Sequence, residues 1–267
     1  MGVKWLLRWA PPSGTPVSPD DDDQLQQLLL RIGASPVGAK DKAQPHVQCA
    51  MMHQAAGKEF GSNIVFTTGP GGLQDVWSVT FTQSPALCYF LIRKSSFVVE
   101  ADVGMAAMMQ RRMDYQVQSV IEFESTLYPQ GDFVMRLLTT RHLLSGSVIF
   151  LGYALEVEYT PISDPAVAEP MLSAFVEMLQ DQLQSMKDSS PDPLQRCSLV
   201  PVPSNFPKFT SLPQRFSPSH SAVAYVDLAT SMATTHNYKS AGAKTQALQR
   251  GAVGSAGTPT AAATPPL

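Results

Sequence analysis

The sequence predicts an α+β protein: an antiparallel β-sheet or barrel with packed α-helices, followed by a disordered C-terminal region. Three observations predict this fold class. Many short apolar segments alternate with polar residues and are separated by glycine and proline, as in antiparallel sheets. One later segment has the 3.6-residue periodicity of a long amphipathic helix. The last part of the chain is dominated by Ala, Gly, Thr and Pro, a composition that does not form a packed core.

The N-terminal part predicts one strand and one helix. Residues 3–9 alternate in period two, with Trp5 and Trp9 on one face, which is typical of a strand. A helix is predicted to begin in the acidic run Asp20–Asp23 and to end at Gly33. Acidic residues at the start suit the helix dipole, and glycine suits a left-handed cap. The predicted apolar stripe of this helix is Leu25, Leu28, Leu29 and Ile32.

The central part predicts short strands and two further helices. Asp102 is predicted to cap a short helix that carries a methionine cluster over 105–113, interpreted as adaptable packing. A long helix over 165–187 has an apolar stripe that includes Leu172, Phe175 and Leu179. The predicted strands are 47–54, 63–68, 75–82, 86–93, 97–101, 115–127, 132–141, 147–150 and 153–160.

Composition divides the chain into four parts. Residues 1–187 are predicted to form the β-barrel domain with its flanking helices. Residues 188–218 are rich in proline and are predicted to be an insert or linker without regular elements. A short helix over 219–234 is predicted to pack on the barrel. Residues 235–267 are predicted to be a disordered, low-complexity tail.

Charge and cysteine content exclude several classes of protein. The net charge is −3, and Lys and Arg never run longer than two, so direct binding to nucleic acid is not expected. No apolar stretch is long enough to cross a membrane, so no membrane partner is expected. The three cysteines have neither a C-x-x-C pair nor zinc-ligand spacing. Their odd number, together with an N-terminal segment too short for a signal peptide, predicts a reducing compartment.

Two pairs of glutamates carry the main enzymatic alternative. Glu122 and Glu124 share one face of a predicted strand, and Glu156 and Glu158 share one face of another. Inside a barrel, the four carboxylates could hold a divalent metal, as in triphosphate-tunnel phosphohydrolases. Such enzymes also need rows of Lys and Arg, and here the strand cations are sparse. The competing interpretation places these glutamates on a water-facing side of an antiparallel sheet. The strand cations are Lys4, Arg8, Arg93, Arg136 and Arg141.

Other candidate sites lack the pattern that their chemistry needs. The run Asp20–Asp23 is not followed by the glycine and closing glutamate of a calcium loop. The glycines at 69–72 lack the Gly-Lys-Ser/Thr ending of a phosphate loop and predict a hairpin turn. On a regular strand, His46 and Cys49 face opposite sides and do not share a metal. No catalytic residue, metal ligand or cofactor site is therefore expected.

Three blocks of sequence carry a resemblance to a known family. They are Met-Gly-Val-Lys-Trp-Leu-Leu-Arg-Trp over 1–9, Leu-Leu-Leu-Arg-Ile-Gly-Ala over 28–34, and Leu-Glu-Val-Glu-Tyr-Thr-Pro over 155–161 followed by Leu-Ser-Ala-Phe-Val-Glu-Met-Leu-Gln over 172–180. In order and spacing, these blocks resemble green-lineage members of the Mediator complex subunit 20 family, the TATA-factor-related subunit of the Mediator head module. The resemblance covers about residues 1–187, with a weaker match over 223–232.

The resemblance implies a specific architecture and role. The family fold is an antiparallel β-barrel with packed helices, which forms a heterodimer with Mediator subunit 18, a related barrel, tethered by a segment of subunit 8. The pair is a movable jaw of the head module that contacts RNA polymerase II and the initiation machinery. The family carries no catalytic residues. The insert after Asp188 and the tail after Thr234 are longer than the family usually shows.

Three hypotheses follow for the function. The leading one is a non-enzymatic nuclear coactivator subunit that works through contacts with subunits 18 and 8 and other head-module subunits. The second is the metal-dependent phosphohydrolase that uses the glutamate pairs. The third is a barrel that binds a small apolar ligand, which requires an open cavity inside the barrel.

Overall fold

The computed structural model describes residues 1–11, 17–18, 21–37, 45–54, 75–144, 146–188 and 197–234. These contain nine strands, four α-helices and a short 3₁₀ helix. The helices are α1 (Asp21–Arg31), α2 (Gly104–Arg112), α3 (Pro165–Asp188) and α4 (218–234), and the 3₁₀ helix is Phe206–Lys208. The strands are β1 (Val3–Ala10), β2 (Pro45–Gln54), β3 (Asp75–Phe81), β4 (Leu87–Ile92), β5 (Phe97–Asp102), β6 (Tyr115–Gln130), β7 (Phe133–Leu144), β8 (Ser147–Tyr159) and β9 (Ser198–Pro201).

All nine strands form one sheet in the order β5-β4-β3-β2-β6-β7-β8-β1-β9. Every neighbouring pair is antiparallel, as predicted from the alternating segments. β3, β4 and β5 form one meander, and β6, β7 and β8 form another. The first strand, β1, pairs with β8, which follows the whole central part of the chain. The two ends of the main domain therefore lie side by side in the sheet.

One face of the sheet, the inner face, surrounds α4. Side chains from β1, β2, β3, β4, β6, β7 and β8 belong to one buried cluster with α4, and Val98 of β5 packs against it. Strands are about 4.8 Å apart, so eight flat strands would be roughly 34 Å wide, whereas a helix is about 10 Å in diameter. A single helix can contact all of them only because the sheet curls around it.

The sheet is not closed, and the prediction of a barrel is wrong in this respect. In the described residues, β5 and β9 are the two edges of the sheet and do not pair with each other. The reason is the helix inside. Eight strands close around side chains alone, and a closed can that holds a central helix uses about eleven. Nine strands that curl around α4 therefore leave a gap.

α4 is apolar on almost every side, which explains its place. Residues 220–226 are all buried, including Val223 and Tyr225, and so are Leu228, Ala229 and Met232. A helix that is hydrophobic all round belongs in an interior. The exposed edge of α4 is fixed by Asp227, which accepts hydrogen bonds from Arg93 (3.3 Å) and from the backbone N–H of Asn205 (3.1 Å).

The opposite, outer face of the sheet is covered by α1 and α3. These helices pack on β1, β7, β8 and β9 in a second buried cluster that includes Trp9, Leu155 and Leu172. The predicted stripes of both helices are the surfaces that are buried. Toward the β5 edge, α2 covers the same face and packs through Met109 on Phe90 and its neighbours.

The ends of α1 and the start of α2 follow the predicted capping chemistry, and Asp164 adds a similar contact at α3. Asp21 accepts a hydrogen bond from the backbone N–H of Ser18 at 2.9 Å, and Gly33 has a φ of +83° just after α1. A side-chain oxygen of Asp102 accepts from the N–H of Gly104, the first residue of α2. Asp164 accepts from the N–H of Ala166 at the start of α3. The predicted starts and ends of these helices are confirmed to within a residue or two.

Two predictions of regular elements differ from the structure. The segments 147–150 and 153–160 form one strand, because a bulge opposite Thr140 and a φ of +131° at Gly152 bend the chain without ending the ladder. Residues 198–201 form the edge strand β9, although prolines were expected to exclude regular elements there. An edge strand tolerates proline because one of its sides is unpaired. The predicted strand at 63–68, the turn at 69–72 and the tail 235–267 lie outside the described residues.

Among the described residues, no helix combines the length and apolarity that crossing a membrane requires.

Candidate functional site

The structure separates the two glutamate pairs. Glu122 and Glu124 flank Phe123, whose ring is in the inner-face cluster, so both carboxylates lie on the outer face. Glu156 and Glu158 flank Val157, which belongs to the outer cluster, so these two lie on the inner face. The four carboxylates therefore do not form one metal site. In the part of the chain that is described, no group of three or more His, Cys, Asp or Glu side chains could hold a metal ion.

The outer-face pair is held by ordinary surface contacts. Gln48 on β2 donates a hydrogen bond to Glu122 at 2.9 Å, and Arg141 on β7 donates to Glu124 at 2.6 Å. Arg141 is 45% exposed, so its pair with Glu124 contributes little to stability.

The inner-face pair is the centre of a buried ionic cluster. The Glu156 side chain is fully buried, which contradicts the expectation that it faces water. Lys4 on β1 lies 3.1 Å from Glu156 Oε1, and Arg136 on β7 donates to the same oxygen. The hydroxyl of Tyr225 on α4 donates to Oε2 at 2.7 Å. Three elements that are distant in sequence thus meet on one carboxylate, and this arrangement joins α4 to the sheet.

Glu158 continues the cluster toward the surface. It accepts hydrogen bonds from Arg136 at 3.2 Å and from the backbone N–H of Gly2 at 3.1 Å, and it lies 3.4 Å from Lys4. Two cations and two carboxylates therefore balance each other. A pocket of about 320 Å³ opens beside them, and Phe81, Ser84 and Pro218 also line it.

The electrostatics of the cluster fix its protonation states. Burial alone would raise the pKa of Glu156, but Lys4 and Arg136 lower it to about 2. Burial and the neighbouring carboxylate raise the pKa of Tyr225 well above its usual value. The carboxylate is charged and the phenol is neutral at any physiological pH, so neither group exchanges protons near neutrality.

His46 also lies against this cluster, although regular alternation along β2 would place it on the other face. A bulge in β2 between Pro45 and Val47 inserts His46 as an extra residue, and its ring is 6.3 Å from that of Tyr225. The prediction that His46 and Cys49 face opposite sides is therefore wrong, because both belong to the inner face. Burial lowers the pKa of His46 to about 4, so the imidazole is neutral at pH 7.

The cysteines are the remaining candidates for a nucleophile, and burial makes their thiols less reactive. Cys49, Cys88 and Cys197 are buried thiols. Burial raises the pKa of Cys88 to about 11 and raises that of Cys49 further. A thiol with a raised pKa is a poor nucleophile at neutral pH. Within the described residues, the inner-face cluster thus has the chemistry of a structural tie between α4 and the sheet.

Many of the exposed apolar residues belong to two surfaces, while others, such as Val148 and Val37, lie on other parts of the described chain. On α3, the side chains at spacing i, i+4, i+7 and i+11 face solvent and define what we call the α3 stripe: Val167, Met171, Ala174 and Met178. Val167 is 55% exposed and Met171 is 46% exposed. The second surface lies around α2 and the β5 edge, and consists of Phe97, Val99, Val103, Met105 and Met108. Grouped apolar exposure of this kind marks sites of protein contact.

The sequence has a clear counterpart among known protein families. Residues 1–230 match the family model of the TATA-binding related factor of subunit 20 of the Mediator complex. The chain belongs to this family. The match covers the sheet, α1 to α3 and all but the last residues of α4, so it extends beyond the region 1–187 that carried the sequence resemblance. As a member of the Mediator subunit 20 family, the chain is a Mediator component with a role in transcription.

A curated relative supports the same assignment. Mediator of RNA polymerase II transcription subunit 20b of Arabidopsis thaliana is 28% identical over 225 residues, which cover 84% of this chain and 93% of that protein. Among solved structures, the PH1012 protein of Pyrococcus horikoshii is 13% identical, with a TM-score of 0.35, over 67% of this chain and 90% of that one. The Pct1 RNA triphosphatase of S. pombe is 11% identical, with a TM-score of 0.24, over 72% and 78%. Scores this low carry no argument about function.

The buried cluster is what sequence reasoning missed. Lys4, Arg136, Glu156 and Glu158 were all recognised as charged strand residues, but their common face was not. The available signal was the alternation of side chains between the two faces of a strand. Lys4 shares a face with Leu6, and Glu156 shares one with Ala154, and both apolar neighbours are buried. Tyr225 in an otherwise apolar helix was a second signal, because a buried phenol needs a hydrogen-bond partner.

Proposed function

We propose that this chain acts in the nucleus as a non-enzymatic coactivator subunit of Mediator, and that it pairs with Mediator subunit 18 and a segment of subunit 8. Membership of the Mediator subunit 20 family supports this role. Through this pair, the chain helps to couple transcription regulators to initiation by RNA polymerase II.

The observation that carries the proposal is where the polar and the apolar groups lie. The described charged groups with the strongest interactions are buried and neutralise each other, with Glu156 fully occupied by three donors. Among the described residues, eight of the fifteen exposed large apolar side chains lie on α3 and around α2 and β5. Lys4, Arg136 and Glu158 also line the pocket beside the cluster, but they are paired with one another, whereas an enzyme keeps polar groups available in its cleft. A subunit of an assembly exposes apolar surface to its partners.

Co-expression with a subunit 18 homologue tests the pairing. We expect the two chains to co-elute as a one-to-one complex in size-exclusion chromatography, and light scattering to give the summed mass. A complex that buries exposed apolar residues should survive high salt, because apolar burial is not screened. Independent monomers at micromolar concentration, with no co-elution, contradict the pairing.

A direct assay tests the non-enzymatic role. The purified chain is incubated with a nucleoside triphosphate and with triphosphate-ended RNA in the presence of Mg²⁺ or Mn²⁺, and phosphate release is measured. We expect no release above that of a Glu156→Gln, Glu158→Gln variant. Release by the wild-type chain that this variant loses would contradict the proposal.

A further inference from the structure

The α3 stripe is continuous by helical geometry. At 3.6 residues per turn, Val167, Met171, Ala174 and Met178 fall within an arc of about 60°. The stripe runs for roughly 17 Å along the helix, at a rise of 1.5 Å per residue. It is separate from the buried stripe that packs α3 on the sheet, whose members include Leu172, Phe175 and Leu179. α3 therefore has two apolar faces, and the fold uses one of them.

Acidic residues line one side of this stripe. Glu177, Asp181 and Asp188 lie between about 20° and 60° from the nearest stripe member, Ala174, on the helical wheel, and all three are exposed. Neither Glu177 nor Asp181 has an ion-pair partner among the described residues. Lys187 lies on the opposite side of the helix, half-buried, and does not neutralise them. The surface is thus apolar along its centre and negative along one margin.

This combination selects one kind of occupant. An apolar stripe of three helical turns matches the i, i+4, i+7 anchors of an amphipathic helix laid against it. The acidic margin favours cationic residues beside those anchors and disfavours acidic ones. A second copy of this chain would bring a second acidic margin, and in an antiparallel pair of α3 helices the two margins fall on the same side of the interface.

We propose that the α3 stripe is a docking site for an amphipathic helix of another protein, with an apolar face flanked by Lys or Arg. The inference rests on the proposed protein-contact role and adds the surface and the chemistry of the partner. Apolar anchors supply most of the affinity, and the acidic margin sets the orientation and the choice of partner.

Fluorescence anisotropy with a designed probe tests the docking site. The probe is a labelled synthetic helix on the order of 18 residues, about five turns, with Leu at i, i+4, i+7 and i+11 and Lys at the flanking positions. A matched peptide has Glu in place of Lys. We expect the full chain to bind the Lys peptide saturably and the Glu peptide at least about tenfold more weakly, with the difference reduced by salt.

Variants of exposed residues separate the stripe from general charge effects. Met171→Asp with Met178→Asp should weaken the Lys peptide at least about tenfold, because both anchor contacts are lost. Asp181→Lys should weaken binding of the Lys peptide and strengthen binding of the Glu peptide. Glu169→Lys changes the net charge equally but lies away from the stripe, and should change either affinity by less than about twofold. Unchanged melting temperatures show that the variants are folded.

Three results would overturn the inference. The first is no saturable binding of the Lys peptide by the wild-type chain. The second is the same effect for Asp181→Lys and Glu169→Lys, which means non-specific attraction. The third is a concentration-dependent dimer that the methionine variant abolishes, which assigns the stripe to a second copy. If the wild-type chain co-elutes with subunit 18 but gives any of these results, the docking inference fails and the proposed function stands.

Discussion

At the scale of single residues, the fold depends on a fully buried carboxylate. Glu156 is stabilised by Lys4, Arg136 and Tyr225, which come from two strands and the central helix. A buried charge of this kind is not strong evidence of net stabilisation, but the loss of one partner is costly. Its role is to specify one position of α4 inside the sheet, because a shifted helix would leave Glu156 without its phenol partner.

Substitution of Glu156 or Tyr225 tests this role. Glu156→Gln should lower the free energy of unfolding by about 3–5 kcal/mol, since it leaves two buried cations without their main counter-charge. Tyr225→Phe removes one hydrogen bond to a charged group and should cost about 1.5–3 kcal/mol. Urea denaturation measures both. A double variant whose loss equals the sum of the single losses would show that the two side chains do not interact.

His46 predicts a pH dependence of stability. Its folded pKa is about 4, whereas the unfolded histidine titrates near 6.5. The unfolded state therefore takes up a proton first, and stability falls as pH drops from about 6.5 to about 4. His46→Gln should reduce this slope between pH 7.5 and 5 in thermal unfolding. His220, whose pKa burial also lowers, contributes to the slope that remains. An unchanged slope in His46→Gln would contradict the assignment.

At the scale of elements, β8 shows how much the sequence predicts. Its alternation gives the correct faces for Leu155 and Val157, but the sequence predicts two strands, 147–150 and 153–160, where the structure has one. In the structure the chain bends there, and β8 continues to pair with β7 on both sides of the bend. The bulge exists only in the pairing with β7, so the sequence of β8 alone does not predict it. The same limit explains His46 on β2 and the edge strand β9. Periodicity predicts elements that are regular, and it does not predict irregularities that neighbouring strands create.

Gly152 tests the bend. It has a φ of +131°, and a Cβ there would lie 3.3 Å from Cγ2 of Val17. Gly152→Ala should cost about 1–3 kcal/mol in the free energy of unfolding, through backbone strain in a region that glycine almost alone adopts. Gly131→Ala is the control, with a φ of +57° and open space around the new methyl group, and it should cost less. Equal losses for both variants would contradict the account.

At the scale of the whole molecule, α4 fills the interior of a curled sheet that does not close into a barrel. The sequence predicts the strands and the helices, but it does not predict which helix enters the curl of the sheet. The apolar sides of α4 and Tyr225 can be read from the sequence, but their fit to the inner face of the sheet is clear only once that face is known. The open sheet and the outer helices together leave α3 with a second, exposed face.

Removal of α4 should therefore abolish the fold. A chain that ends at Ser217 loses the helix around which the inner face is packed. We expect it to lose cooperative thermal unfolding and to bind the dye ANS, as expanded states with exposed apolar surface do. A chain that ends at Thr234 keeps α4 and should unfold cooperatively. Cooperative unfolding of the shorter chain would show that the sheet is stable without its central helix.

The central claim is that this chain acts as a Mediator subunit through protein contacts. The measurement that tests it most directly is affinity purification of the tagged chain from a nuclear extract, with the retained proteins identified and quantified by mass spectrometry. The account predicts Mediator head subunits, including subunits 18 and 8, in near-equal amounts to the bait. Recovery of the folded chain without Mediator subunits, or in a stable complex that contains none of them, would contradict it.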